Sequence, residues 1–154
     1  MPTDTNPTTR YVAPGWFTRR LFNPTVAFAT RHGLSLMGSR VLSVPGRTTG
    51  IPRETVVNLL TVDDERFLVA PRGHTQWVRN LRAATGADLR VGRRVESVTS
   101  SELPDADKLP VLWEYLRRWG WEVGQFFEGI DKDSSDADLA AVAPDFPVFR
   151  LQAR

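Results

Sequence analysis

The sequence predicts an α+β domain built on an antiparallel barrel or strongly bent sheet, and three observations carry that prediction. Short β-rich runs crowd together between residues 40 and 100 and are joined by tight polar turns. Helical periodicity is confined to the start, the middle and the C-terminal third, so helices decorate the sheet instead of alternating with its strands. The runs between residues 55 and 70 leave no room for crossover helices, which disfavours a doubly wound parallel sheet.

Met1 to Thr9 is polar and rich in threonine and proline, without the basic-then-apolar order of a secretory signal, so residues 1–14 read as a loose tail and 15–154 as one domain. Trp16, Phe17, Leu21, Phe22, Val26, Phe28, Leu34 and Met37 recur at helical spacing, with a break near Pro24. This helix reads as a cover for the core, with peripheral membrane contact as the alternative, since Arg19 and Arg20 lie beside Trp16 and Phe17. Strands follow over Arg40–Val44, Thr55–Val62, Arg66–Ala70, Asp88–Val91 and Arg94–Ser100. Asp63 to Glu65 forms one hairpin tip, and Gly92 with Arg93 forms another. A short helix over Thr75–Ala84 stops at Gly86, and a longer one covers Asp105–Phe127, with Gly120 and Gly124 permitting a bend. Ser134, Ser135 and Asp136 cap a further helix running to Val142, and Pro147–Leu151 is the last strand.

Composition narrows the function classes. There is no cysteine, so disulfides, thiolate metal sites and cysteine nucleophiles are excluded. A net charge of only +2 gives no nucleic-acid signature. Charges interrupt every apolar stretch before it reaches the length of a bilayer span, so a cytoplasmic location is expected, with membrane association through the first helix as the alternative. His32 and His74 are isolated, which argues against a metal site. Gly33-Leu34-Ser35-Leu36-Met37 lacks the second glycine of a nucleophile elbow.

Two stretches carry the functional reading. In Pro45-Gly46-Arg47-Thr48-Thr49-Gly50-Ile51-Pro52-Arg53, two glycines let the backbone approach a ligand closely, free N–H groups can cradle phosphate oxygens, and Arg47 and Arg53 add charge. It is neither a Walker loop nor a Rossmann fingerprint; read alone, it is equally a hairpin loop with two solvated arginines. In Ala70-Pro71-Arg72-Gly73-His74-Thr75-Gln76-Trp77-Val78-Arg79-Asn80-Leu81, a strand ends in a basic glycine loop that opens a helix, an arrangement suited to anions. Trp77 can pack beneath a ring system and Asn80 can bond backbone or ligand, although a core tryptophan and a loop anchor serve equally well.

Together these stretches resemble the deazaflavin-dependent nitroreductase and quinone-reductase family of actinobacteria, whose members carry a Gly-Arg-x-x-Gly-x-Pro-Arg turn and a basic-Gly loop followed by Trp-x-x-Asn-Leu. The similarity spans residues 39 to 100, and Pro147-Val148-Phe149-Arg150 fits as the final strand. The resemblance implies a split β-barrel that holds coenzyme F420, with FMN as the alternative cofactor. On this basis Gly46, Arg47, Thr48, Thr49, Gly50, Pro52, Arg53, Ala70, Pro71, Arg72, Gly73, Trp77 and Asn80 are expected to bind the cofactor. Thr48 stands where nitroreductase members commonly have lysine. The implied reaction is hydride transfer from reduced F420 to an apolar enone, quinone or nitroaromatic acceptor, with Asn58, Trp119, Trp121, Phe126 and Phe127 as substrate-side candidates and no catalytic residue named. The alternative is a non-catalytic carrier that uses the same pocket for deazaflavin, flavin or haem. A homodimer is also implied by resemblance.

Overall fold

The computed structural model describes residues 38–123, 126–131 and 133–154, without the side chains of 121–123. The expected N-terminal tail, the helix between Trp16 and Met37 with its membrane contact, Gly124 and the side chain of Trp121 lie outside the described residues.

Seven strands form one antiparallel sheet: β1 (Ser39–Pro45), β2 (Pro52–Asn58), β3 (Leu60–Val62), β4 (Glu65–Val69), β5 (Gly86–Val91), β6 (Arg94–Glu102) and β7 (Val148–Ala153). Their order is β2-β1-β5-β6-β7-β4-β3. The run expected as one strand over Thr55–Val62 is therefore two strands at opposite ends of the sheet, separated only by Leu59. One intervening residue spans roughly 7 Å at full extension, so the two sheet edges must lie side by side. A flat sheet cannot satisfy that connection; the sheet curls into a split barrel. Leu59 marks the break because its N–H turns to the Gly38 carbonyl at 2.9 Å.

The turns follow local chemistry. Asp63 (φ 50°) and Asp64 (φ 64°) are both left-handed, which suits a two-residue hairpin between Val62 and Glu65. Helix α1 (Gln76–Ala84) ends at Thr85, not at Gly86: Thr85 takes φ 54° and its N–H bonds the Leu81 carbonyl at 2.8 Å. Gly86 instead starts β5, where a Cβ would stand 3.0 Å from the Val98 carbonyl oxygen, so glycine is needed there for close strand approach. The C-terminal helix expected over Asp105–Phe127 is a single 3-10 turn, Asp105–Asp107, followed by α2 (Leu109–Val123). Helix α3 (Asp136–Val142) starts with a capping box, in which the Asp138 N–H donates to the Ser135 hydroxyl and the Ser135 N–H donates to the Asp138 carboxylate.

Strand alternation divides the apolar residues into two cores. Leu42, Val44, Val57, Leu68, Leu89, Val98, Phe149 and Leu151 fill the barrel and receive Val78 and Leu81 of α1. Leu60, Phe67, Val69 and Val148 on the outer face meet Leu112, Tyr115, Trp119, Phe127, Leu139 and Phe146. Trp113 Nε1 donates to Asp136 at 2.7 Å and ties α2 to α3. Phe127 stacks on Phe146 with centroids 3.9 Å apart. Truncation of such a ring leaves a cavity costing about 3–5 kcal/mol. Phe127→Ala is therefore expected to lower stability in urea unfolding by that amount, with m unchanged.

Candidate active site

The site forms where the β1–β2 turn faces the start of α1. Strand pairing persists to Val44–Arg53 and Pro45–Pro52, which leaves Gly46 to Ile51 as the turn. The turn is closed internally: the Gly46 N–H donates to the Ile51 carbonyl (2.9 Å), the Gly50 N–H to the Gly46 carbonyl (2.8 Å), and the Ile51 N–H to the Thr49 hydroxyl (3.2 Å). A Cβ on Gly46 would sit 3.0 Å from Thr49 Oγ1, and Gly50 adopts φ +73°, so both glycines are required by the backbone path.

Opposite, β4 runs out at Val69, and the chain turns through Pro71, Arg72 and Gly73 (φ 86°) into α1. Asn80 and Gln76, four residues apart on one helix face, reach back to the turn. Asn80 Oδ1 accepts from the Arg47 backbone N–H at 3.1 Å and from Arg47 Nη1 at 2.8 Å, and Gln76 Oε1 accepts from the same Nη1 at 2.8 Å.

Between the two elements lies a cavity of about 630 Å³, walled by Gly46, Arg47, Thr48 and Thr49 of the turn, Arg53, Glu54 and Thr55 of β2, and Arg72, Thr75, Gln76, Trp77 and Asn80. A smaller recess of about 30 Å³ continues inward past Thr55, Arg72, Thr75 and Trp77 to Asn58, Ala70, Pro71 and Tyr115. Arginines at the mouth and the open N–H groups at the start of α1 make the wide end electropositive. Glu54 opposes this only in part, because it pairs with Arg90 at 2.9 Å.

The profile of the F420H(2)-dependent quinone reductase family matches residues 18–132, which include both walls of this cavity. The chain belongs to that family. Membership makes it an F420-dependent reductase. Among similar solved structures, an F420-H2 dependent reductase, FDR-A, is 15% identical with TM-score 0.53 over 75% of this chain and 94% of its own. The haem-storage protein HutZ of Vibrio cholerae is 14% identical with TM-score 0.55, over 86% and 89% of the two chains. A protein described as a domain-swapped dimer is 15% identical with TM-score 0.53, over 75% and 80%. At these identities the likeness is one of fold, and it agrees with the split barrel. No curated protein matches the chain.

The residues expected from the sequence fall into three groups. Gly46, Arg47, Thr48, Thr49, Arg53, Arg72, Trp77 and Asn80 line the main cavity, and Asn58, Ala70 and Pro71 line the recess. Gly50, Pro52 and Gly73 lie outside the lining; Gly50 and Gly73 take the positive φ of their turns and Pro52 pairs across the hairpin. Trp119, Phe126 and Phe127, expected on the substrate side, are instead buried in the outer core and line neither space: Trp119 lies on the apolar stripe of α2, and Phe127, beyond that helix, stacks on Phe146.

Sequence reasoning passed over Glu54, Thr55, Thr75, Gln76 and Tyr115. Tyr115 hides in the stripe with Leu112 and Trp119, and only the fold shows that it also walls the recess. Of these five, Gln76 had the clearest signal, standing four residues before Asn80 at the helix start.

Behind the loop, His74 is buried with Nδ1 3.0 Å from Arg82 Nη1 and Nε2 3.4 Å from the Pro144 carbonyl, while Arg82 grips Glu102 with two bonds of 2.7 Å. The two contacts define a neutral ring that donates from Nε2 and accepts at Nδ1. Burial, and then the Arg82 charge, hold the His74 pKa below its ordinary value, against the opposing pull of the Pro144 carbonyl. Because the folded pKa is the lower one, the unfolded chain takes up the proton first as pH falls below about 6.5. Stability is therefore full above that pH and declines as pH drops toward the folded pKa. Urea midpoints from pH 8 to 5 are expected to show this decline, and His74→Gln to flatten it.

Proposed function

We propose that the protein binds reduced F420 in the cavity between the Gly46–Arg53 turn and α1, and that it reduces an apolar enone, quinone or nitroaromatic brought against the ring from the open side of that cavity. The observation that carries this reading is that the two basic, glycine-containing elements, 33 residues apart at Arg47 and Asn80, are hydrogen-bonded around one cavity. Its volume falls within the roughly 300–1,000 Å³ of small-molecule and cofactor sites.

The donor set fits an elongated ligand with an anionic end. Arg53 and Thr48 are exposed at the mouth, Arg47 is fixed there, and the N-terminus of α1 adds N–H groups, so this end would hold phosphate and carboxylates. Trp77, half-buried with its ring 6.0 Å from Phe149, offers an apolar face where the cavity narrows. When bound, reduced deazaflavin supplies the hydride. The chain orients the ring against Trp77, limits water through the apolar barrel below, and closes the inner end of the site with Asn58 and Tyr115. FMN, sharing the ring type, is the alternative cofactor, and a homodimer is part of the proposal.

Titration with F420 followed by its fluorescence tests binding, and oxidation of the reduced coenzyme with a panel of quinones, enones and nitroaromatics tests turnover. Absence of quenching would overturn the assignment; quenching with no acceptor-dependent oxidation would make the protein a carrier. Arg53→Ala is expected to weaken F420 about two- to five-fold, as exposed ion pairs do, and to make binding less salt-sensitive. Thr48→Lys is expected to shift both quantities the other way, tightening binding and steepening its salt dependence.

A further inference from the structure

Two buried hydroxyls in this site have no hydrogen-bond partner among the described residues. Thr55 Oγ1 and Thr75 Oγ1 are both buried and make no hydrogen bond. Both residues line the main cavity and also the inner recess, so they flank the junction between the two. They come from different elements: Thr55 lies on β2, paired with the barrel-filling Leu42, and Thr75 precedes α1.

Thr75 is the more telling of the pair. It occupies the N-cap of α1, where a threonine hydroxyl ordinarily accepts an N–H from the first helical turn, yet it makes no such bond. A group that forgoes its local partner and is shielded from water loses hydrogen-bonding energy unless something else fills the junction. Each hydroxyl can donate and accept, and both stand at the inner junction, past the exposed Arg53 and Thr48 of the mouth, where a neutral part of a ligand would lie. The pair matches a neutral edge presenting both carbonyl oxygen and N–H.

We infer that Thr55 and Thr75 form a recognition pair for the imide-type edge of a planar heterocycle seated at the junction. The inference rests on the proposed F420 reading, in which that edge is the pyrimidinedione side of the deazaflavin ring. It adds a neutral, direction-specific contact to the charge-based hold at the mouth. The ring edge is read by side-chain hydroxyls, and the anionic end by arginine.

The test uses F420 titration by fluorescence together with the thermal midpoint of the ligand-free protein, for wild type, T55V, T75V, the double valine variant and the double serine variant. Each valine keeps the shape and removes one hydroxyl, so a loss of about three- to ten-fold in affinity per site is expected, from the usual worth of a neutral hydrogen bond. The ligand-free midpoint is expected to stay level or rise, because no internal bond is lost. Serine at both positions restores the hydroxyls and is expected to recover most of the affinity. Wild-type binding with an unimpaired double valine variant would overturn this inference and leave the cofactor reading intact. A fall in the ligand-free midpoint of the valine variants would also overturn it, by showing that the hydroxyls serve the fold. Failure of the wild type to bind F420 would remove both together.

Discussion

The site depends on one amide oxygen. Asn80 Oδ1 is buried and accepts two hydrogen bonds from Arg47, one from its backbone and one from its guanidinium. Strand pairing holds the turn only as far as Pro45 and Pro52, and the bonds inside the turn would survive if it swung away as a unit. The Asn80 bonds prevent that swing by fastening the turn to a helix whose other face is embedded in the barrel core. Asn80 and Gln76 are also neutral. They fix the Arg47 guanidinium at the cavity wall without cancelling its charge, which a carboxylate partner would do.

The two ends of the barrel treat charge differently. Along β1, β4 and β6 the inward positions run from Leu42, Leu68 and Val98 in the middle to Arg40, Arg66 and Glu96 at the far end. There Glu96 takes two bonds from Arg66, at 2.6 and 2.7 Å, and its carboxyl is held below the usual range by that contact. Burial and the neighbouring Arg94 and Arg66 lower the Arg40 pKa, which Glu96 partly offsets. At the site end Glu54 is drawn to Arg90, leaving Arg47 on neutral acceptors and Arg53 without an ion pair among the described residues. Arg47 and Arg53 at the site end therefore keep their charge for an anionic ligand.

Much of this was legible because it is local. Hairpin tips at Asp63-Asp64 and Gly92, the Ser135 cap and the two glycine turns all follow from a few neighbouring residues, and the motif order pointed to the family. What was not legible depends on which strands become neighbours. The break at Leu59 leaves only a slight compositional mark, Asn58 in an otherwise β-prone run from Thr55 to Val62; it is plain only when β2 and β3 are seen at opposite sheet edges. Trp119, a candidate for the substrate side, lies in the outer core for a related reason. Helical periodicity shows that Tyr115 and Trp119 share a stripe, but only Tyr115 lines the recess.

That difference within one stripe shows how stability and specificity are divided. Tyr115 is packed with Trp119 (5.3 Å) and Phe127 (6.5 Å) in the outer core, yet it also closes the recess beside Asn58. The wall of the main cavity is built from a β turn and the start of α1, both anchored in the inner core. The recess wall borrows Tyr115 of α2, which belongs to the outer core. Because the two cores share the sheet but not their side chains, residues of α2 can alter the shape of the recess without moving Arg47, Asn80 or Trp77. A barrel arranged this way keeps the wall of its main cavity while the recess varies with the helix laid against it.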